Sequence, residues 1–172
     1  MPLLLVPFYA FGHILSKFIP FLEHDYLTQF CVSMANPFFT ALIALTLFVF
    51  IRRLGFGVKT GILTTLCYAF CTMSWIYTRS GFSEPVLTLL LFLAALSLYI
   101  YEESGLLRYV WLSGFLIAYS LLIKTNSIVC LPVIFIYLAY KSFKIKRLGP
   151  RLGFWLAFVM PMSLFVFIYL YH

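Results

Sequence analysis

GILTTLCYAFCTMSWIYTRSGFSEPVLTLLLFLAALSLYIY, residues Gly61 to Tyr101, decides the fold. Two apolar runs, Val58–Tyr77 and Glu84–Tyr101, flank one short polar break that holds Arg79 and Glu84. A helix rises about 1.5 Å per residue, so about 20 apolar residues match a hydrocarbon core of about 30 Å. The runs are continuously apolar, without the in-and-out alternation of barrel strands, and therefore read as helices.

The rest of the chain repeats that pattern. Further apolar stretches run over Pro2–Ser16, Cys31–Ile51, Leu106–Ile123, Thr125–Tyr140 and Leu152–Tyr171, which makes about seven in all. Of the 172 residues, 64% are hydrophobic and 10% charged, and the mean hydropathy is +1.05. A soluble domain has about 45–50% apolar and about 25% charged residues. The expected fold is therefore all-α, a polytopic transmembrane helix bundle forming one domain over residues 1–172. The first stretch carries Pro2, Pro7, Gly12 and His13 and is short, so it either crosses the membrane or lies in its interface.

The net charge of +7 would point to nucleic acid on a soluble protein. Here the basic residues sit between apolar runs, where they mark topology and meet anionic lipid. Membrane lipids are the expected partners, and no nucleic acid is. Arg52, Arg53, Lys59, Arg108, Lys141, Lys144, Lys146, Arg147 and Arg151 fall on one side, against Lys17, Arg79 and Lys124 on the other. The positive-inside rule puts the richer set in the cytoplasm and the Tyr77–Val86 break outside, in a cell-membrane protein of several passes.

Few residues on that outer side can do chemistry. Glu84 opens a helix at Ser83-Glu84-Pro85, where an acid favours the positive end of the helix dipole. Arg79 then either snorkels to lipid phosphate or contacts an anionic ligand, and Glu84 either caps or lines a cavity. Lys124 ends one helix, and Thr125 or Asn126 caps the next, Thr125–Tyr140, whose 16 residues span about 24 Å as a helix. Being shorter than the hydrocarbon core, it places Lys124 and Asn126 at or just below the interface, where ionisable groups mark sites. Glu23, His24 and Asp25 read as a solvated loop, and His13 as a satisfied interior histidine. Cys67 and Cys71 read as small buried hydrophobes, with no metal site and no cofactor assigned. Gly114 and Ala118 form a small-residue pair suited to close helix packing.

The Gly61–Tyr101 stretch, followed by YVWLSGFLIAYSLLIKTNSIVCLPVIFIYLAY (Tyr109–Tyr140), resembles the GT-C membrane glycosyltransferases. It is most similar to their dolichyl-phosphate-mannose mannosyltransferase and ArnT-like branch. PLLLVPFYAFG at the start looks like the family segment that follows the first large external loop. The resemblance implies transfer of a sugar from a polyprenyl-phosphate donor to an acceptor on the outer face. It places Arg79, Glu84 and Lys124 at polar cavity positions, and Asn126, beside Lys124 in sequence, completes the candidate substrate-binding set. The family's catalytic aspartate precedes the matching region and has no counterpart here, so the resemblance implies a central fragment, inactive alone. Two other classes stay open from the residues themselves: a transporter or lipid flippase using Arg79, Glu84 and Lys124, and a non-catalytic membrane subunit.

Overall fold

The computed structural model describes residues 2–18, 24–78, 83–144 and 148–171. These form helices α1 (Pro2–Phe18), α2 (His24–Ser33), α3 (Ala35–Arg53), α4 (Val58–Cys71), α5 (Ser74–Thr78), α6 (Glu84–Ser104), α7 (Arg108–Ile123), α8 (Leu131–Lys144) and α9 (Leu148–Tyr171). A 3-10 helix over Thr125–Cys130 leads into α8. There is no strand among the described residues. His24–Arg53, Glu84–Ser104 and Thr125–Phe143 are long and apolar enough to cross a membrane, and Leu4–Phe18, Val58–Cys71, Arg108–Ile123 and Leu152–Ser163 are shorter apolar helices. The all-α bundle of apolar helices read from the sequence is the fold observed.

Helix ends follow local chemistry. Gly55 and Gly105 stand just past α3 and α6 with φ of 90° and 68°, the left-handed conformation in which an added Cβ is strained. The Gly105 N–H closes α6 by donating to the Tyr101 carbonyl at 2.8 Å. Between α2 and α3 only Met34 interrupts the helix. Pro37 explains the interruption, because it has no N–H to offer the Ser33 carbonyl four residues back.

The chain divides into two compact units, Met1–Leu89 and Leu90–His172, with the boundary inside α6. In the first unit α1 packs on α2 and α3 on α4. Its core holds Leu27, Cys31, Ala35, Phe39 and Ile43. A Cβ on Gly12 would stand 2.8 Å from the Thr28 Cα, so glycine is what lets α1 approach α2. In the second unit α7 lies against α9 around Val110, Ile117, Phe154 and Phe158, all buried. Gly114 is the contact point there and Ala118 is buried beside it, as the small-residue pair predicts.

Four expectations are corrected. Val58–Tyr77 is not one helix but α4 and α5, because Thr72 is extended at φ −120°, ψ 173°. Thr125–Tyr140 does not start as a capped α-helix. It opens as a 3-10 turn without a side-chain cap bond, and the α-helix starts at Leu131 with Pro132 in its first turn, where its missing N–H costs nothing. His24 and Asp25 are not a solvated loop but the first turn of α2, while Glu23 lies outside the described residues. Cys67 and Cys71 are exposed rather than buried, since Gly61 is the one fully buried residue of α4 and most of that helix is exposed.

Candidate functional site

The break between α4 and α5 builds the site. Where Thr72 leaves the helix, carbonyls near the end of α4 lose their N–H partners, and hydroxyls replace them. Thr72 Oγ1 donates to the Tyr68 carbonyl at 2.7 Å, and Ser74 Oγ donates to the same carbonyl at 3.0 Å. The Ser74 N–H in turn donates to Thr72 Oγ1 at 3.2 Å. Asn36 Nδ2 on α3 donates to the Tyr77 carbonyl at 3.4 Å, which ties α5 to α3. Side-chain hydroxyls that compete for the backbone in this way are a known cause of helix breaks.

A cavity of about 410 Å³ lies beside this break within the first unit. Thr40 of α3 lines it, with Tyr68 of α4, Thr72, Ser74 and Tyr77 of the break and α5, and Glu84 and Thr88 of α6. Glu84 is held there by the start of α6. The Leu87 N–H donates to the Ser83 carbonyl at 3.0 Å, so Ser83 is the cap, Glu84 the first helical residue and Pro85 the second. An acid in that first turn meets the positive end of the helix dipole. Its side chain is half-buried in the cavity wall.

Thr40 is the residue that sequence reasoning missed. It is only 8% exposed, and its Oγ1 is buried with no hydrogen-bond partner among the described residues. The signal available was Asn36 and Thr40 at i, i+4, one polar face on an otherwise apolar helix.

The other expected site residues fall elsewhere. Arg79 lies outside the described residues. Lys124 and Asn126 belong to the second unit, next to each other at the joint between α7 and the 3-10 helix. Lys124 is extended at φ −153°, ψ 119°, and its N–H donates to the Ser120 carbonyl at 3.1 Å. Its carbonyl accepts from Ser127 Oγ at 2.8 Å, and its side chain is half-buried. Asn126 is exposed.

Two polar clusters were not foreseen. In the first unit, His13 Nδ1 and His24 Nε2 stand 2.9 Å apart, and His24 Nδ1 lies 3.2 Å from Thr28 Oγ1. His13 thus has a partner, as expected, but it is half-buried rather than interior, and the partner is a histidine read as part of a loop. In the second unit, Tyr137 donates to Glu102 Oε1 at 2.5 Å, and Lys141 pairs with the same carboxylate. Both clusters join one helix to another by polar side chains, and neither lines the cavity.

No curated protein and no solved structure matches the chain. Residues 25–169 match the family of dolichyl-phosphate-mannose-protein mannosyltransferases, a stretch that takes in nearly everything from α2 to α9, and the chain belongs to that family.

Proposed function

We propose that this chain takes part in moving a sugar from a polyprenyl-phosphate donor to an acceptor hydroxyl at the extracytoplasmic face of the cell membrane, as a multi-pass protein. Membership of a membrane glycosyltransferase family supports the reaction class. The observation that carries the reading is the cavity that Glu84 lines in the first unit, beside α3 and α6, which belong to stretches long and apolar enough to cross a membrane. Irregular backbone in a membrane protein is tolerated where it lines a cavity or is buried in protein.

A lipid-phosphate donor gathers negative charge on its leaving phosphate as the glycosidic bond breaks. A cation placed where that charge develops lowers the barrier. Lys124 supplies a point charge on a half-buried residue. Arg79 supplies a guanidinium suited to bidentate phosphate contact. Glu84 orients a sugar or acceptor hydroxyl by accepting its hydrogen bond, rather than removing its proton. The proton acceptor is not assigned to a residue of this chain.

The test is transfer of radiolabelled mannose from a polyprenyl-phosphate mannose to membrane acceptors in proteoliposomes. Lys124→Ala is expected to lower transfer about a hundredfold and Glu84→Gln about tenfold, with the protein still folded. Equal transfer by wild type and Lys124→Ala would sink the assignment.

A further inference from the structure

A polar contact fastens α1 to α2. His13 Nδ1 stands 2.9 Å from His24 Nε2, with the ring centroids 4.7 Å apart. The hydrogens of this contact follow by elimination. Thr28 has one hydroxyl proton, and it goes to the His24 carbonyl at 2.8 Å. Thr28 Oγ1 therefore accepts from His24 Nδ1 at 3.2 Å, so that nitrogen carries a hydrogen. On a neutral imidazole the other nitrogen is then bare. His24 Nε2 accepts, and the His13 Nδ1–H donates.

This arrangement has room for one added proton, on His13 Nε2, because a charged His13 still donates from Nδ1. A second proton has to go to His24 Nε2. There it removes the acceptor and sets two cationic rings against each other. We infer that the His13–His24 pair is an acid-operated latch, which seats α1 on α2 and releases it when the pair takes up that second proton. The released state binds more protons than the seated one, so acid favours it. Histidine changes charge between about pH 5 and about pH 8, so mild acid reaches the step.

The surrounding groups supply no substitute for either ring. α1 carries Tyr9 and Lys17 one turn to either side of His13, and α2 carries Asp25 and Tyr26 just after His24. Lys17 and Asp25 are both exposed and act on the pair with opposite signs, screened by water and salt. α3 meets Phe8 of α1 through Phe38 and Phe39, and it has no ionisable side chain before Arg52. What the latch covers is Cys31. Gly12, next to His13, lies so close to α2 that a Cβ there would come 3.1 Å from the Cys31 Cβ. Cys31 is 6% exposed, and lifting α1 uncovers its thiol.

The experiment follows thiol labelling of the whole chain in nanodiscs by dithiodipyridine, a reagent that still reacts in acid. Mass spectrometry of the peptides gives the rate at Cys31 relative to the exposed Cys67, which corrects for the reagent's own response to pH. In wild type the ratio is expected to be low at about pH 7.5 and to rise about tenfold by about pH 5. His24→Gln puts a carbonyl, which takes up no proton, at the accepting position, and its ratio is expected to stay low throughout. His13→Asn is expected to stay low as well, because its amide can turn over and accept. An unchanged wild-type ratio overturns the inference. So does a rise in either variant equal to that of wild type, the mark of general acid unfolding. Should neither variant fold, nitrogen-15 NMR of the wild-type histidines decides. A hydrogen on His24 Nε2 while Cys31 is still covered would overturn the latch, and a bare Nε2 that gains its hydrogen as Cys31 opens supports it.

Discussion

Replacing Gly114 by alanine adds one methyl group at the tightest point of the second unit. An ideal Cβ there would stand 2.5 Å from the Phe158 carbonyl oxygen, 3.2 Å from its carbon and 3.0 Å from Pro161 Cγ. The nearest of these atoms is backbone of α9, and a carbonyl cannot rotate away as a side chain can. Pro161 lies inside α9 and cannot donate to the carbonyl four residues back, so α9 has one backbone bond fewer where Gly114 meets it. Overpacking of a filled core costs about 1–3 kcal/mol. Alanine gives back about 1 kcal/mol of helix propensity, which leaves a net loss of about 1–2 kcal/mol once the larger part of that range applies to a backbone clash. Gly61→Ala is the internal control. Its Cβ would meet the Phe48 ring at 2.9 Å, the far end of a side chain that can swing aside, so the propensity gain survives and stability stays level or rises. The assay is reversible unfolding of both variants in mixed bicelles, followed by tryptophan fluorescence. A Gly114→Ala variant as stable as Gly61→Ala would refute the packing of α7 on α9 through this residue.

Two further outcomes follow from burial. Ser113 is fully buried beside that contact, and its Oγ has no partner among the described residues, so Ser113→Ala is expected to leave stability unchanged or raise it by up to about 1 kcal/mol in the same unfolding assay; a loss above that would mean the hydroxyl is used. Cys67 and Cys71 are exposed and Cys31 is buried, so a membrane-permeant maleimide in mild detergent should label the first two at least tenfold faster than Cys31, read by mass spectrometry of the peptides. Comparable rates would contradict the packing of α2.

Apolar length was legible, because the bilayer or any apolar surrounding demands continuous runs and the residues between them carry the charge. The start of α6 was also written locally, in Ser83-Glu84-Pro85, whereas α8 starts later than the Thr125 read from the sequence. The break after Cys71 was not. Thr72 and Ser74 are common in apolar helices, and only a choice between backbone and side-chain partners separates a helix from a turn. His13 and His24 meet across 11 positions of chain, a tertiary fact with no local signature. Thr40 shows the same limit from the other side. Its sequence context matches that of Thr46, and only the packing around it decides which of the two hydroxyls back-bonds.

The cavity and the helix break are one feature seen from two directions. A helix interrupted among apolar neighbours would expose carbonyls at a cost of several kcal/mol each, and nothing about lipid or packed side chains would offset it. Thr72, Ser74 and Asn36 supply donors from within the chain, which makes the interruption tolerable at that one place. The cavity beside that break is lined by Glu84, which the first turn of α6 places at the positive end of the helix dipole. The polar residues at the break therefore stabilise an irregular backbone next to a carboxyl that lines the same cavity.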